Sequence, residues 1–489
     1  MVLACNVESL ARSYVVGVAG ALERIQAIVG PRGMLRDDAA EPLLQDERGL
    51  YAGTAAAVVQ PVSTEECAAT VEICNEARLG IVPQGGNTGY CGGATPFDGE
   101  HQILLSLARM NRVRAIDPVG YTMTVEAGVI LADAQAAAEA EGLLFPLSMG
   151  SEGSCQIGGN LSTNAGGLNV VRYGTARELV LGLEVVLPSG EVLSELKGLR
   201  KDNTGYDVES LFLGAEGTLG VITAAVLKLF PLPRSRQTVW LAVPSVGAAL
   251  DVLGVARRQS GDQVVAAEYV SRASLDLVLA HVADVRDPFD NPYEHYLLLE
   301  LAGSLSDSAL REIIEGLVEI GLESNVIIDG VLAESNAQRD ALWRLRETIP
   351  EAERCESRSV KHDISVPIAA IPGFLADARG RLASVAGHRL SVFGHIGDGN
   401  LHYNLVPPVG CDLFDDAQAA ALTEALYEHV NAVGGSFSAE HGIGLFRRDE
   451  LRHYKSDVAF DLMRVIKRTL DPNGIMNPGK LFADEDMRP

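Results

Sequence analysis

Three glycine-rich runs in the first half of the chain constrain its fold most strongly. They span residues 83–93, 146–182 and 213–222. Few helices or strands tolerate so much glycine, which lets the backbone take positive φ and turn its amide N–H groups toward a ligand. Such runs suit a backbone that follows a long, flat, polar ligand closely. Three of them within one domain predict a ligand of dinucleotide size.

The two best-known phosphate-binding fingerprints do not occur in these runs. No Gly-x-Gly-x-x-Gly opens a helix with a ribose-binding acid at the right distance, and no Gly-Lys-Ser/Thr ends a run. The site is therefore expected outside the Rossmann and P-loop classes. Taken by itself, the first run also fits a flexible surface loop.

Length, charge and cysteine usage narrow the class of protein. A chain of 489 residues is too long for one core, so two or three domains are expected. The net charge of −25 argues against nucleic-acid binding, which needs a basic face. Seven cysteines without a Cys-x-x-Cys pair indicate a reduced, cytoplasmic protein. No signal peptide is recognised, and no apolar run near the start approaches the ~20 residues of a membrane span.

The hydrophobic pattern predicts a helical lead-in followed by short strands and helices. Residues 1–50 form the lead-in, in which Leu10, Val15, Val18 and Leu22 recur at helical spacing. In the segment that follows, a helix is predicted to begin after a Ser-x-x-Glu capping box at Ser63 and to end at Gly80, and its Cys67 and Cys74 are expected in the core.

The run Pro231-Leu232-Pro233-Arg234 marks the expected domain boundary. Beyond it, strand-like runs alternate with helices of 12–20 residues, and one such strand is predicted at 325–329. This pattern predicts an antiparallel sheet covered by helices, an α+β arrangement. The last part of the chain is mostly helical.

The stretch from Ser391 to Leu405 concentrates side chains that bind metals. His395 and His402 flank a Gly-Asp-Gly-Asn turn. On a straight helix they would lie about 10 Å apart, too far for one ion. On two short strands joined by that turn they converge, and convergent neutral imidazoles are usual ligands of zinc and similar ions. A third ligand is expected from Glu440 or His441. Hydrogen-bonded surface histidines are the alternative.

The order of the motifs identifies a family. PQGGNTGYCGG, IGGNLSTNAGG, RYG, LGAEGTLGVIT, GHIGDGNLHYN, SAEHGIG and NPGK follow one another between about residues 50 and 481. With them the chain resembles the FAD-linked D-2-hydroxyacid dehydrogenases of the vanillyl-alcohol-oxidase superfamily. The resemblance implies an α+β fold with a PCMH-type FAD-binding domain over 51–233. A ferredoxin-like substrate (cap) domain with the metal site follows over 234–430, and a C-terminal helical segment over 431–489 returns to the flavin.

The same resemblance implies which residues hold FAD. In some relatives a histidine that follows the Gly-Gly pair is linked covalently to FAD, but this chain has Asn87 there, so non-covalent FAD is expected. The expected FAD contacts are Pro83, Gln84, Gly85, Gly86, Asn87, Thr88, Gly89, Gly93, Ser148, Ser154, Gly158, Gly159, Asn160, Thr163, Asn164, Ala165, Gly167, Gly217, Ile222 and Asn477.

The resemblance also implies the reaction centre. His395, His402 and Glu440 match the zinc ligands of the family, with Mn²⁺ as the alternative ion, and His441 matches the catalytic base. A 2-hydroxy acid can chelate such an ion, which lowers the pKa of its hydroxyl group. A base of modest strength then suffices, and hydride passes from C2 to flavin N5 to give a 2-oxo acid.

Two cations are expected to bind the substrate. Arg346 and Lys361 match family positions that bind carboxylates. Asn404, two residues beyond a metal-binding histidine on the same strand face, is expected to hydrogen-bond the substrate. The hydroxyglutarate enzymes have a hydroxyl residue four positions after this arginine, but Pro350 stands here and cannot donate a hydrogen bond. The nearby Thr348 is the expected replacement.

The resemblance and the two cations favour D-2-hydroxyglutarate as the substrate, oxidised to 2-oxoglutarate. The alternatives are a D-lactate dehydrogenase that forms pyruvate, a zinc hydrolase whose glycine-rich domain merely binds a nucleotide, and a flavin-binding subunit of a glycolate-oxidase-like complex. An electron-transfer flavoprotein or a quinone is the expected electron acceptor, and family resemblance suggests a homodimer.

Overall fold

The computed structural model describes residues 17–46 and 49–487. Of the predicted lead-in, Leu10 and Val15 lie outside these residues. Residues 17–29 form the first helix, α1, on which Val18 and Ile25 are buried. The expected helix is therefore seen over residues 17–29, whereas the rest of the described lead-in contains the short strand Met34–Leu35 and two single 3₁₀ turns.

Two sheets and a strand pair carry the glycine-rich runs. In the described chain the first sheet has the spatial order β1-β2-β4-β3, with β1 antiparallel to β2 and the other neighbours parallel. The second is antiparallel, with the order β5-β6-β10-β8-β9, and β7 pairs with β11. The strands are β1 (Met34–Leu35), β2 (Ala57–Val59), β3 (Gly80–Gln84), β4 (Gln102–Ser106), β5 (Val113–Asp117), β6 (Thr122–Glu126), β7 (Leu143–Leu144), β8 (Val180–Val186), β9 (Val192–Ser194), β10 (Val221–Lys228) and β11 (Phe230–Pro231). The helices are α2 (Thr64–Ala77), α3 (Leu131–Ala140), α4 (Ile157–Ser162) and α5 (Val170–Tyr173).

Helix α2 begins as predicted but ends earlier. The Ser63 side chain accepts a hydrogen bond from the backbone N–H of Glu66, and the two cysteines of the helix are fully buried. The predicted end at Gly80 is wrong, because Arg78 takes a left-handed conformation with φ of 56° and closes the helix. Gly80 instead opens β3, where its N–H donates to the carbonyl of His101.

The second half of the chain forms an antiparallel sheet covered by helices, as predicted. Within the described residues its spatial order is β15-β12-β14-β13-β17-β18-β16. The strands are β12 (Ser235–Val243), β13 (Val264–Ser271), β14 (His295–Gly303), β15 (Asp329–Leu332), β16 (Asp363–Ser365), β17 (Arg389–His395) and β18 (Asn400–Val406). The helices are α6 (Val246–Ser260), α7 (Arg272–His281), α8 (Asp307–Glu323), α9 (Asn336–Glu347), α10 (Ile349–Glu356), α11 (Ile371–Ala383), α12 (Asp416–Ala432), α13 (Arg448–Tyr454) and α14 (Asp457–Leu470).

Helices cover both faces of this sheet. Alternate residues of a strand point to opposite faces, and both faces of β12 are apolar. Val239 and Leu241 join a core packed by α6, α8, α11 and α12, whereas Trp240 and Ala242 join a core packed by α7, α9 and α10. Both cores are closed, so polar groups buried in this sheet need partners within the protein.

The strand predicted at 325–329 is displaced toward the C-terminus. Asn325 has φ of +60° and turns the chain after α8, and the N–H groups of Val326 and Ile327 both donate to the carbonyl of Gly321. These groups close the helix and cannot join a ladder, so β15 begins only at Asp329.

The C-terminal part of the chain returns to the first sheet. Met476 forms a bridge beside Ile81, and the side-chain amide of Asn477 donates to the carbonyls of Gly93 and Glu216. None of the helices formed by the described residues combines the length and the apolar character needed to cross a membrane.

Candidate active site

The glycine-rich runs meet around a groove that is open to solvent. The empty space in it, counted with its open side, is about 970 Å³. Most of the predicted FAD contacts line it: Pro83, Gln84, Gly85, Gly86, Asn87, Thr88, Gly89, Gly93, Gly158, Gly159, Asn160, Thr163, Gly217 and Ile222. The predicted base, His441, lines it as well. The sequence therefore identified the wall of one continuous cleft from segments more than 350 residues apart.

The groove has the properties that a flat, polar cofactor requires. A Cβ atom added to Gly86 would lie 2.2 Å from the carbonyl oxygen of Ser154, so the two segments can approach only with glycine there. The side-chain oxygens of Gln84 and Gln156 are buried and have no hydrogen-bond partner among the described residues. Close backbone approach and unpaired polar atoms on the wall both fit FAD.

The remaining predicted FAD residues are not among those that line the groove. They are Ser148, Ser154, Asn164, Ala165, Gly167 and Asn477. Asn164 accepts hydrogen bonds from the hydroxyl of Thr175 and the backbone N–H of Arg177, and Ser148 bonds to the carboxylate of Glu152. The side chains of Asn164 and Ser148 thus form hydrogen bonds within their own loops. Direct FAD contact by the six residues stays a prediction.

Asn87 is held in a strained conformation. Its φ is +56°, which is uncommon for a residue with a side chain, and its side-chain amide donates to the carbonyl of Gln45 at 2.7 Å. This anchor ties the first glycine-rich loop to the end of the lead-in.

The predicted metal ligands converge. β17 and β18 form a hairpin in which Phe393 lies opposite His402, and its turn brings His395 to the same end. His395, His402 and Glu440 each place a ligand atom within 4.8 Å of the others, and Nε2 of His395 lies 3.8 Å from Oε1 of Glu440. Two imidazoles and a carboxylate at this separation form a donor set suited to a divalent transition metal.

Burial and the neighbouring charges together set the pKa values of these ligands. It lowers the pKa of His402 to about 3, and it raises the pKa of Glu440 to about 7 with help from the charge of Asp363. For His395 burial acts downward, but the carboxylate of Glu268 outweighs it and raises the pKa to about 9. A cation within reach of the Glu440 oxygens would favour the charged carboxylate.

His441 has a buried carboxylate as its partner. Oδ2 of Asp363 lies 3.5 Å from Nδ1 of His441 and accepts the backbone N–H groups of Glu440 and His441, each at 2.9 Å. Burial opposes the charge of Asp363, but the neighbouring histidines outweigh burial and hold its pKa well below the usual range. Tyr90 packs edge-on against the His441 ring at 4.9 Å.

Arg346 lies beside the metal ligands. Its Nε donates to Glu268 at 2.7 Å, and its guanidinium lies 4.7 Å from the centre of the Phe393 ring. Glu268 also bonds to Nδ1 of His395 at 2.6 Å, and although burial opposes its charge, these two cationic groups lower its pKa to about 2. The structure thus joins a predicted substrate residue to a predicted metal ligand through one carboxylate.

Lys361 and Asn404 share another buried carboxylate, that of Glu353. The lysine ammonium lies 3.3 Å from it, and the amide of Asn404 donates to both of its oxygens. The side-chain oxygen of Asn404 accepts a hydrogen bond from the backbone N–H of His362. Both ends of this amide are bound within the protein, so a direct contact between Asn404 and the substrate stays a prediction.

Thr348 is a poor donor in this arrangement. Its hydroxyl group donates to the carbonyl of Arg344 at the end of α9. Because the single O–H of Thr348 is used in this hydrogen bond, its oxygen can only accept a further one, and it cannot donate to a carboxylate.

The sequence did not reveal the roles of four carboxylates: the partly buried Glu216 and the buried Glu268, Glu353 and Asp363. Each accepts hydrogen bonds from the segments that carry site residues. One signal was available: Glu268 interrupts the otherwise apolar strand VVAAEYV, and a charge inside such a strand needs a buried partner. The identity of that partner could not be read from the strand.

Comparison with known proteins agrees with this geometry. Residues 55–194 match the FAD binding domain family and residues 232–481 match the family of FAD linked oxidases, C-terminal domain. Among solved structures, p-cresol methylhydroxylase shares the fold with a TM-score of 0.74 at 18% identity, covering 96% of this chain and 98% of the other. An alkyldihydroxyacetonephosphate synthase has a TM-score of 0.72 at 18% identity, covering 94% and 84%. The chain is therefore an FAD-linked oxidoreductase with a PCMH-type FAD-binding domain.

Curated relatives narrow the family. A D-2-hydroxyglutarate dehydrogenase of Xanthomonas citri pv. viticola is 40% identical, covering 88% of this chain and 90% of the relative. The mitochondrial D-2-hydroxyglutarate dehydrogenase of Bos taurus is 38% identical, covering 94% and 83%. A D-2-hydroxyglutarate–pyruvate transhydrogenase of Saccharomyces cerevisiae is 35% identical, covering 94% and 93%. The chain belongs to the D-2-hydroxyglutarate dehydrogenase family, which confirms the resemblance seen in the motifs.

Proposed function

We propose that this protein oxidises D-2-hydroxyglutarate to 2-oxoglutarate. The observation that carries the proposal is the convergence of His395, His402 and Glu440 beside His441, which lines the groove that fits FAD. Relatives named for this activity, across plants, animals and bacteria, support it. They also argue against a zinc hydrolase.

The cofactors supply chemistry that side chains lack. When bound, FAD accepts the hydride of C2 at its N5 position. A divalent cation at the three ligands, Zn²⁺ in the first place and Mn²⁺ as the alternative, lowers the pKa of a hydroxyl group placed beside it. We propose that FAD is bound without a covalent link, since Asn87 occupies the position of the linked histidine and its amide is anchored to Gln45.

His441 takes the hydroxyl proton at Nε2. Its Nδ1 faces Asp363, and the negative charge there stabilises the imidazolium that forms. The two N–H bonds from the loop backbone to the same carboxylate fix the position of the ring. The edge-on contact with Tyr90 adds a second support for the ring.

Arg346 and Lys361 bind the two carboxylates of the substrate. The terminal nitrogens of Arg346 form no hydrogen bond with any residue that the structure describes, and this fork suits a carboxylate. Lys361 adds a point charge and is held in place by the buried carboxylate that Asn404 also contacts. A dianionic substrate matches two cations.

D-lactate is the second candidate substrate. Pro350 has no donor and the hydroxyl of Thr348 is bonded to Arg344, so neither offers a donor to a distal carboxylate. A monocarboxylate would not need that donor.

We propose further that the protein is cytoplasmic and forms a homodimer. None of the described cysteines forms a disulfide, which suits a reduced compartment. Electrons would leave through an electron-transfer flavoprotein or a quinone. The name of the yeast relative adds a 2-oxo acid such as pyruvate as a third acceptor to test.

Anaerobic reduction of the flavin tests the reaction. The purified protein, analysed for metal, is mixed with D-2-hydroxyglutarate, D-lactate or D-malate and with each L-enantiomer, with and without EDTA. Rapid bleaching of the flavin band by D-2-hydroxyglutarate, prevented by EDTA, supports the proposal. Faster bleaching by D-lactate selects the second candidate. If none of the acids bleaches a protein that holds both FAD and metal, the dehydrogenase proposal fails and a partner-dependent subunit takes its place.

A further inference from the structure

Glu268 contacts both a predicted metal ligand and a predicted substrate-binding cation. It lies in the middle of β13, fully buried, with His395 of β17 as its cross-strand neighbour. One carboxylate oxygen lies 2.6 Å from Nδ1 of His395, and the other accepts from Nε of Arg346 at 2.7 Å. A single side chain therefore touches a metal ligand and a substrate-binding group.

The contact with His395 selects one ring nitrogen for the metal. A carboxylate can only accept hydrogen bonds, so Nδ1 must keep its proton. Nε2 then faces Glu440, 3.8 Å away, and offers its lone pair to a cation. Carboxylate–histidine pairs of this kind fix the tautomer and the orientation of metal-binding imidazoles.

The contact with Arg346 fixes the direction of the guanidinium fork. Glu268 holds Nε, and the Phe393 ring lies under the guanidinium at 4.7 Å. With Nε held by Glu268, the two terminal nitrogens of the fork are left for another acceptor. No described residue bonds to those nitrogens, so they remain available to a carboxylate.

We propose that Glu268 is a positioning residue for both halves of the site. It sets the metal-binding tautomer of His395 and the orientation of the Arg346 fork, so that metal affinity and substrate affinity depend on the same carboxylate. The inference rests on the proposed function, because it takes a metal at His395 and a carboxylate at Arg346.

Replacing Glu268 by glutamine shows why both halves must respond together. An amide offers one oxygen and one NH₂ group. If the oxygen faces His395, the NH₂ group confronts the Nε–H of Arg346. If the amide is reversed, the NH₂ group faces Nδ1 of His395 and drives the ring proton to Nε2, the nitrogen that the metal needs. Neither orientation serves both neighbours, although the side chain keeps its size.

The experiment compares E268Q with a matched control, E300Q. Glu300 is also a buried glutamate of this sheet, and it accepts from Arg236, Thr238 and Trp343 rather than from site residues. Two quantities are measured on each FAD-loaded protein. The first is the dissociation constant for Zn²⁺ after metal removal, obtained by calorimetry. The second is KM for D-2-hydroxyglutarate at saturating metal.

E268Q is expected to bind Zn²⁺ roughly 10–100-fold more weakly, the usual effect of losing the outer partner of a metal-binding histidine. Its KM should rise about tenfold or more, because a charge-assisted bond to the substrate is misaligned. E300Q should match the wild type in both quantities. R346A should raise KM but weaken Zn²⁺ binding less than E268Q does, because the Glu268 carboxylate still holds Nδ1 of His395.

The outcomes distinguish this inference from the proposed function. If E268Q behaves like E300Q, or changes only one of the two quantities, the joint role is overturned. If wild-type protein binds no Zn²⁺ and keeps its activity in EDTA, the proposed metal site fails whatever Glu268 does. Should E268Q lose FAD or fail to fold, E268D decides, because a carboxylate that is one methylene shorter falls short of both His395 and Arg346. E268D must then weaken both quantities, and a normal value for either overturns the proposal.

Discussion

Asp363→Asn isolates the charge that stands behind the proposed base. Oδ2 of Asp363 accepts two backbone N–H groups of the loop that carries His441, and Oδ1 accepts the side-chain amide of Asn400. The oxygen of asparagine can keep both loop bonds. Its NH₂ group then faces the amide of Asn400, which must turn to accept it and so gives up its bond to the carbonyl of Ile364, a cost that falls on Asn400 and not on the loop of His441. The loop should therefore hold its place while the charge is lost.

The magnitude follows from the distance between the two groups. Unit charges at the 3.5 Å between Oδ2 of Asp363 and Nδ1 of His441 attract each other by about 5 kcal/mol at an effective dielectric constant near 20. The imidazolium forms only as His441 takes the proton. If about half of that charge has developed in the transition state, the substitution raises the barrier by about 2.5 kcal/mol, or ~10²-fold in kcat. KM should change little, because the substrate binds before His441 takes the proton.

Anaerobic stopped-flow measurement of flavin reduction, at saturating D-2-hydroxyglutarate and metal, checks this value. D363N, H441Q and the double variant form a cycle. D363N should lose about 10²-fold in the wild-type background but little in H441Q, where no imidazolium forms. An equal loss in both backgrounds would show that Asp363 does not act through His441, and a wild-type rate in D363N would refute the electrostatic reasoning altogether.

Three further predictions concern the metal, the FAD groove and the pH dependence of stability. Treatment with EDTA should abolish turnover but leave FAD bound, and added Zn²⁺ or Mn²⁺ should restore it; full activity in a protein shown to be metal-free would contradict the metal site. Gly86→Ala should lose FAD on gel filtration, since its Cβ would lie 2.2 Å from the carbonyl oxygen of Ser154, whereas Gly150→Ala, with no atom within 4 Å of its Cβ, should retain it. Burial lowers the pKa of His362 from 6.5 to about 4, so the unfolded chain takes up this proton first. The stability that this group contributes is therefore full above pH 6.5 and falls by up to ~3 kcal/mol as the pH drops to 4. Urea unfolding at several pH values should show the loss, and a His362→Gln variant should show a shallower one.

The sequence predicted those parts of the site that carry a recognisable local pattern. The glycine-rich runs are visible as letters, and they line one groove because each must let backbone or cofactor approach closely. His395 and His402 converge because a four-residue turn joins their strands. The antiparallel sheet was predictable as well, since its buried strands and amphipathic helices alternate along the chain.

The buried carboxylates could not be predicted in the same way. Glu268 and His395 are separated by 127 residues, and they meet only because β13 pairs with β17. That pairing places a strand from the middle of the chain beside the metal hairpin, and no local pattern encodes it. The helix end at Arg78 was missed for a related reason, since a left-handed arginine closes α2 where the sequence offers a glycine two residues later.

The pairing of the site cations with buried carboxylates has a consequence for a chain of net charge −25. Arg346 is paired with Glu268 and Lys361 with Glu353, and His441 faces Asp363. Each of these three groups therefore lies beside a negatively charged carboxylate. These pairs orient their donors, but they do not make the site positive as a whole. In the proposed enzyme the divalent cation must therefore supply the net positive charge that draws a dianion into an acidic protein. The metal-free protein is accordingly expected to bind D-2-hydroxyglutarate weakly even with every side chain in place.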